Sequence, residues 1–179
     1  MQLRDIKKKA LALIEELDAD NSTLTADEDI QKKLNYIVNQ IQNEVVRFKK
    51  IPAKQKVTIT STDLAYDLNN LDLFYQVQLV RGLEAEVFGT TAYFKEEGEA
   101  EIFYYKYPKQ IDADTPDEHE LDLTIDLLEI MPYGIAADLL KSDVSNSYGQ
   151  VYASRYQEML QGLDPRYSMG NVYIETAEV

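Results

Sequence analysis

Hydrophobic residues in the first fifty positions recur at intervals of three and four, the spacing of one apolar helix face. The first run, from Leu3 to Leu17, predicts a helix over residues 2–18, which the polar segment 18–22 ends. The second run predicts a helix over residues 26–50. Thr25 and Glu28 have capping-box spacing at its start, and Pro52 follows its end. Two amphipathic helices therefore open the chain.

The spacing changes to strand-like alternation in the next segment, which we interpret as a β insertion over residues 55–108. Strands are predicted at 57–60, 75–79, 91–94 and 100–107. The loop 95–99 contains Gly98 and is expected to join the last two strands as a hairpin. Pro108 closes the last strand, because proline cannot donate to a sheet. The insertion is thus predicted to be one small antiparallel sheet.

Helical periodicity returns over residues 121–141, where Pro132 is expected to kink or restart the helix, and again over residues 144–162. Residues 166–179 form a tail whose segment 171–175 has strand-like composition and no partner strand nearby in the sequence. The predicted fold class is α+β, mostly α: a helical bundle of about four to five helices with an inserted small antiparallel β-sheet. We expect a single domain over 1–165 and a flexible C-terminal tail over 166–179.

Composition supports an ordered globular chain, since 45% of the 179 residues are hydrophobic and 28% are charged. The absence of cysteine excludes a disulfide framework, a thiolate zinc site and a cysteine nucleophile. No apolar run approaches the length of a membrane span, so no membrane association is expected.

Charge is distributed unevenly along the chain, which has a net charge of −14. Residues 1–56 hold 11 Lys/Arg against 9 Asp/Glu, whereas residues 57–179 hold 7 against 23. Most of the chain therefore repels nucleic acid, whose binding needs dense positive charge. Cations around the end of the second predicted helix, Lys50, Lys54 and Lys56 among them, indicate either a solvated helix end or a local positive patch.

Motifs for catalysis, cofactors and metals are missing from the sequence. The one histidine, His119, lies in an acidic segment and is interpreted as solvated. Asp112, Asp114 and Asp117 resemble the start of a calcium loop, but the glycine and glutamate that such a loop needs are replaced by Asp117 and Leu123. There is no glycine-rich phosphate loop and no GxSxG. We therefore predict a protein that is not an enzyme and binds neither a cofactor nor a metal.

Three of the 13 tyrosines, Tyr148, Tyr152 and Tyr156, recur every four residues on one face of the last predicted helix. Aromatic side chains at this spacing can stack nucleic-acid bases, but that mechanism also needs a positive groove. Because this half of the chain is strongly acidic, a core or protein–protein contact is the favoured interpretation.

Residues 127–143, LLEIMPYGIAADLLKSD, resemble a helix of the head–tail connector (adaptor, or head-completion) proteins of tailed bacteriophages. In that pattern an apolar helix with a proline and small residues leads into an acidic break. A tyrosine-bearing helix follows, here residues 148–160, and residues 101–108 resemble the strand that these proteins carry before an acidic connector. The order of elements extends the resemblance over most of the chain.

The resemblance implies a non-enzymatic virion structural protein of the neck, which assembles in the host cytoplasm as a homo-oligomeric ring. Its partners would be the portal protein and a neighbouring neck or tail-completion protein. DNA would pass transiently through the ring without specific binding, and an acidic lumen would help it slide. The strand-like tail would add to a partner's sheet edge, with Tyr167, Asn171, Val172, Tyr173 and Ile174 as the interface. We expect this tail to be disordered in the free monomer.

Two alternatives remain at this point. An acidic inhibitor or DNA mimic also uses dense carboxylates, spaced like phosphates, to occupy a basic groove on a nucleic-acid enzyme. An enzyme of unrecognised type would need a deep apolar pocket that holds two carboxyl groups.

Overall fold

The computed structural model of the protein describes residues 1–17, 24–25, 27–141 and 147–163. These residues form two compact units. The helical unit comprises Met1–Lys49 together with residues 108–163, and the β unit comprises Lys50–Tyr107. Each unit has a hydrophobic core of its own. That the segment 1–165 acts as a single domain stays a prediction.

Four α-helices are described in the helical unit: α1 (Leu3–Leu13), α2 (Glu28–Phe48), α3 (Ile125–Leu140) and α4 (Tyr148–Gln161). Helix α1 is shorter than predicted, because Glu15 adopts the left-handed conformation, with φ of 61°, that ends a helix. Helix α2 begins after Asp27, whose carboxylate accepts hydrogen bonds from the backbone N–H groups of Asp29 and Ile30. Asp27, and not Thr25, is therefore the N-cap.

Helix α3 lies at the centre of the helical unit, in contact with α1, α2 and α4. Its sequence is apolar on nearly every side, which is typical of a helix that is buried all round. It continues through Pro132 from Ile125 to Leu140, so the helix does not restart there. The other helices each contribute one apolar stripe to the core, which contains Leu3, Ile6, Ala10, Leu11, Leu34, Val38, Ile41, Val45, Met131, Ile135, Tyr156 and Leu160.

Six strands form the β unit: β1 (Ile51–Ile59), β2 (Ala65–Asp67), β3 (Phe74–Arg81), β4 (Ala85–Phe88), β5 (Thr91–Phe94) and β6 (Gly98–Lys106). They make two three-stranded antiparallel sheets, with the strand orders β1-β6-β3 and β2-β5-β4. A 3₁₀ turn, Leu68–Asn70, follows β2. The inner residues of both sheets enclose one core, which includes Val57, Ile59, Leu68, Leu71, Ala92, Phe94, Ala100, Ile102 and Tyr104.

The predicted hairpin across residues 95–99 is wrong. Strand β5 pairs with β2 and β4, whereas β6 pairs with β1 and β3, so the chain crosses from one sheet to the other at this loop. The actual hairpin is β4–β5, joined by Gly89 and Thr90, where Gly89 has φ of 60°. A positive φ at the first loop residue is the requirement of a tight two-residue hairpin.

The predicted fold class is therefore corrected. The described residues are 43% helical and 27% strand, which is a sheet-rich α+β fold and not a mostly-α bundle with a small sheet inserted. The physical reason is that residues 51–106 form two sheets that bury a separate core, so they do not need the helices to cover one apolar face.

Candidate interaction surfaces

The residues predicted as the partner interface, Tyr167, Asn171, Val172, Tyr173 and Ile174, lie outside the described part of the chain. So does the break predicted at residues 142–143. The candidate surfaces described below lie on the two described units.

The first surface is the acidic connector, which we define as residues 108–124 of the helical unit. It is hydrogen-bonded to the start of α1: the backbone N–H groups of Leu3 and Arg4 donate to the carbonyls of His119 (2.8 Å) and Asp117 (2.9 Å). In return, the N–H of Leu121 donates to the carbonyl of Met1 at 3.1 Å. These bonds satisfy donors that a helix N-terminus leaves unpaired, so the connector and α1 stabilise each other.

Two polar side chains inside the helical unit fix the same connector. Lys7 is a buried lysine whose ammonium group lies 2.5 Å from the carboxylate of Asp117. The amide of Asn35, also buried, donates to the carbonyls of Asp112, Ala113 and Thr115. A buried charge needs a partner, and here the ammonium and the amide N–H groups are satisfied by the connector. The segment is an ordered surface even though it contains neither a helix nor a strand.

Helix α2 anchors the beginning of the connector in the same manner. The side-chain oxygen of Asn39 accepts the backbone N–H of Ile111 at 2.9 Å, and the amide of Gln42 donates to the carbonyl of Lys109 at 2.7 Å. Ile111 itself is buried in the core. Backbone polar groups along the connector are thus paired with side chains of α2.

Five acidic residues of the connector are exposed: Asp112, Asp114, Glu118, Glu120 and Asp122. A hydrogen bond from the hydroxyl of Thr115, assisted by backbone N–H groups, lowers the pKa of Asp112, so its charge persists into acidic solution. His119, interpreted from the sequence as solvated, is half-buried. Within the described ranges, no group of three or more His, Cys, Asp or Glu side chains is placed to hold a metal ion.

An open groove of about 490 Å³ lies between α2, α3 and α4. Its floor includes Gly134, and its walls carry Glu44, Asp138 and Lys141, the last two paired at 3.5 Å. The hydroxyl of Tyr156 is buried here without a hydrogen bond of normal geometry. Burial, reinforced by the nearby Glu44 carboxylate, raises the pKa of Tyr156, so this tyrosine stays protonated and cannot serve as a base. Since the groove is open and mixed in character, it is not the deep apolar pocket that the enzyme hypothesis requires.

The tyrosines of α4 divide between core and surface. Tyr156 belongs to the core, and Tyr152 is half-buried, with its hydroxyl donating to the carbonyl of Leu13 at 2.5 Å. Tyr148 is largely exposed. The three rings do not form the continuous exposed row that base stacking needs, so the preference for core packing is confirmed at Tyr156.

The β unit presents a second charged surface, the outer face of the β1-β6-β3 sheet. The register places Lys56 and Arg81 on either side of Glu101, and Lys54 beside Phe103. Lys54 lies 5.9 Å and Arg81 5.0 Å from the centroid of the Phe103 ring. We call Lys54, Lys56, Arg81, Glu101 and Phe103 the basic face. Glu99, two residues before Glu101 on β6, is exposed on the same side of the sheet, so three cations against two carboxylates leave this face weakly positive within an acidic chain.

Strand β4 is an exposed sheet edge in the β unit. The edge strand β1 carries Pro52 and two lysines, and the edge strand β3 carries two register shifts, both of which discourage pairing with another chain. Strand β4 has four residues, one of them the charged Glu86, and has no proline, lysine or register shift; Phe88 at its end is 82% exposed. The sequence signal for this hairpin is the Gly89-Thr90 pair between two apolar segments, which the predicted strand pattern did not include.

The described helices include none that is both long enough and apolar enough to cross a membrane. No family model matches the chain, and no curated protein matches it.

Proposed function

We propose that this chain is a non-enzymatic structural protein of a phage neck, which joins the portal and head to the tail as part of an oligomeric ring. The observation that carries the proposal is the acidic connector, an irregular segment held in place by buried polar side chains that presents carboxylates to solvent. The sequence resemblance to head–tail connectors supplies the biological setting.

A fixed acidic surface suits a protein that guides DNA without binding it. Carboxylates held on an ordered backbone repel phosphates at short range, and screening limits the effect to about 10 Å at moderate ionic strength. A mobile acidic loop could move aside or pair with nearby lysines. Here the connector is anchored through Lys7 and Asn35, so carboxylates such as those of Asp112 and Glu120 remain on the surface.

The exposed edge of β4 supports an assembly function independently. An edge strand that has no proline, lysine or register shift can accept an added strand through backbone hydrogen bonds, while alternate side chains fit pockets on either face. The strand-like tail segment 171–175 of a neighbouring copy has the composition for this role. Both features are expected of a protein that works in contact with other chains.

The proposal is tested by affinity capture from cells that express the portal protein together with tagged full-length chain. A variant that ends at residue 165 is the matched comparison. We expect the full-length chain to retain portal protein and the shortened chain to lose it. Capture of a host nuclease or polymerase in place of portal protein would instead support the inhibitor or DNA-mimic alternative, for which the exposed carboxylates of the connector are the motivating observation. Failure to retain portal protein in any form would refute the neck assignment.

A further inference from the structure

We propose that the basic face of the β unit binds the acidic connector of a second copy of this chain. The inference rests on the proposed ring and names the two surfaces that would build it. Both surfaces are ordered, both are exposed, and their charges are opposite.

The basic face is suited to a carboxylate-bearing partner. The side chain of Lys54 is 65% exposed and already pairs with Glu101 at 3.2 Å, which shows that its ammonium group reaches carboxylates at this surface. Lys56 and Arg81 are exposed on either side of the same glutamate. With Glu99 and Glu101 both counted, the three cations still leave one positive charge in excess, which a carboxylate of the connector can meet.

A nucleic acid is a poorer match for this face. Phe103 is only partly exposed, with Lys54 and Arg81 over its ring, so its surface is covered where a base would have to stack. Glu101 lies in the middle of the face and would oppose a phosphate backbone. The net charge of −14 adds repulsion toward a polyanion at longer range.

The connector supplies the complementary surface. Asp114 and Glu118 are exposed, four residues apart, on a backbone that the helical unit holds in place. Because the two surfaces belong to different units and differ in sequence, a contact between them joins unlike patches on successive copies. Such a heterologous contact closes into a ring when the rotation between copies permits it, which is the assembly that a neck protein requires.

Charge reversal provides the test, since each surface can be inverted separately. The first variant carries Lys54→Glu and Lys56→Glu, and the second carries Asp114→Lys and Glu118→Lys. In each variant alone, the substituted residues would meet side chains of like charge on the next copy. We therefore expect self-association of the full chain, measured by sedimentation with and without portal protein, to weaken at least about tenfold. In an equimolar mixture the inverted surface of each variant meets a surface of opposite charge on the other, so assembly should recover.

The controls use exposed positions away from both surfaces and from the β4 edge: Glu129→Lys on α3 and Ser154→Glu on α4 should leave association unchanged. Unchanged thermal melting would show that the variants fold. Assembly of either variant alone at the wild-type level would overturn the inference, as would failure of the mixture to recover. The inference would also be overturned if the wild type bound a DNA fragment in a salt-dependent manner and the Lys54→Glu, Lys56→Glu variant did not. Capture of portal protein by the variants distinguishes the two claims, because it tests the proposed neck function without relying on this contact.

Discussion

Removal of the Asp117 carboxylate should destabilise the helical unit more than removal of its lysine partner. In the Lys7–Asp117 pair the lysine side chain is 8% exposed and the aspartate side chain 34% exposed. Asp117→Asn leaves a buried ammonium group without a counter-charge, whereas Lys7→Met leaves a carboxylate that water can reach and keeps an apolar stem in the core. Because the lysine is more buried than the aspartate, Asp117→Asn is expected to lower the free energy of unfolding more than Lys7→Met.

The magnitude follows from the same burial. Removal of one partner from a fully buried ion pair costs about 3–5 kcal/mol. Asp117 is partly exposed and an asparagine oxygen can still accept from Lys7, so we expect about 2 kcal/mol for Asp117→Asn. For Lys7→Met we expect about 1 kcal/mol or less. In a chain of this size, a loss of about 2 kcal/mol corresponds to a fall in Tm of roughly 4–8 °C.

Urea unfolding followed by circular dichroism measures these differences. Asp114→Asn removes the same charge from an exposed site in the same connector, and its free energy of unfolding should stay within about 0.5 kcal/mol of wild type. The double variant Lys7→Met with Asp117→Asn should be more stable than Asp117→Asn alone. Equal effects of Asp117→Asn and Asp114→Asn, or a greater loss in Lys7→Met than in Asp117→Asn, would refute the assigned role of this pair.

Three further substitutions test the packing and the charges of the two units. Gly134→Ala would place a Cβ 2.9 Å from a ring carbon of Tyr156 and should cost about 1–2 kcal/mol in urea unfolding, whereas Gly162→Ala, with its nearest neighbours at 3.5 Å, should be neutral or stabilising. Gly89→Ala should destabilise the β unit by about 1 kcal/mol through its positive φ alone, and Gly89→Asn by less, as thermal melting would show. Burial opposes ionisation of Asp126, but the hydrogen bond and charge of Lys49 outweigh it and hold the pKa of Asp126 below its usual 3.8. The stability that this ionisation contributes is therefore present above pH 3.8 and lost as the pH falls through the lowered pKa. The cost of Asp126→Asn, about 1 kcal/mol at neutral pH, should accordingly disappear in acid, and a cost that persisted there would contradict the assignment.

The positions of the helices could be predicted from the sequence because apolar residues recur every three or four positions within each helix. The predicted helix over 26–50 corresponds to α2, and the one over 144–162 includes α4. The ends of the helices were harder to predict. Helix α1 stops early at Glu15, whose left-handed backbone conformation is not indicated by its residue type. Helix α3 passes through Pro132, whose local preference is overridden by the burial of neighbouring residues such as Leu128, Met131 and Ile135.

The division of the β unit into two sheets could not be predicted from local alternation. Strands β5 and β6 are close in sequence and look like a hairpin, but β5 pairs with β2 and β4, and β6 with β1 and β3. Pairing depends on which faces meet in the core, and alternation says only that a strand has two faces. The short strands β2 and β4 gave too few residues for a periodic signal.

For the candidate surfaces, too, the sequence revealed the composition but not the three-dimensional arrangement, as the acidic connector shows. Its charge was evident from eight acidic residues without a Lys or Arg between positions 112 and 129. Its order was not, because Lys7 and Asn35 lie 110 and 80 residues away from Asp117 and Thr115 respectively. The basic face likewise depends on the register of β1, β6 and β3, which brings together Lys54, Phe103 and Arg81.

The mass of the complex between this chain and purified portal protein tests the central claim most directly. Mass photometry of portal rings, with increasing amounts of the full-length chain, should show a stepwise or cooperative gain equal to several copies of the 20.5 kDa chain for each ring. Binding that saturates at a ring of copies would support a neck protein that assembles on its partner. A portal mass that stays unchanged at a large excess of the chain would contradict the proposed neck function.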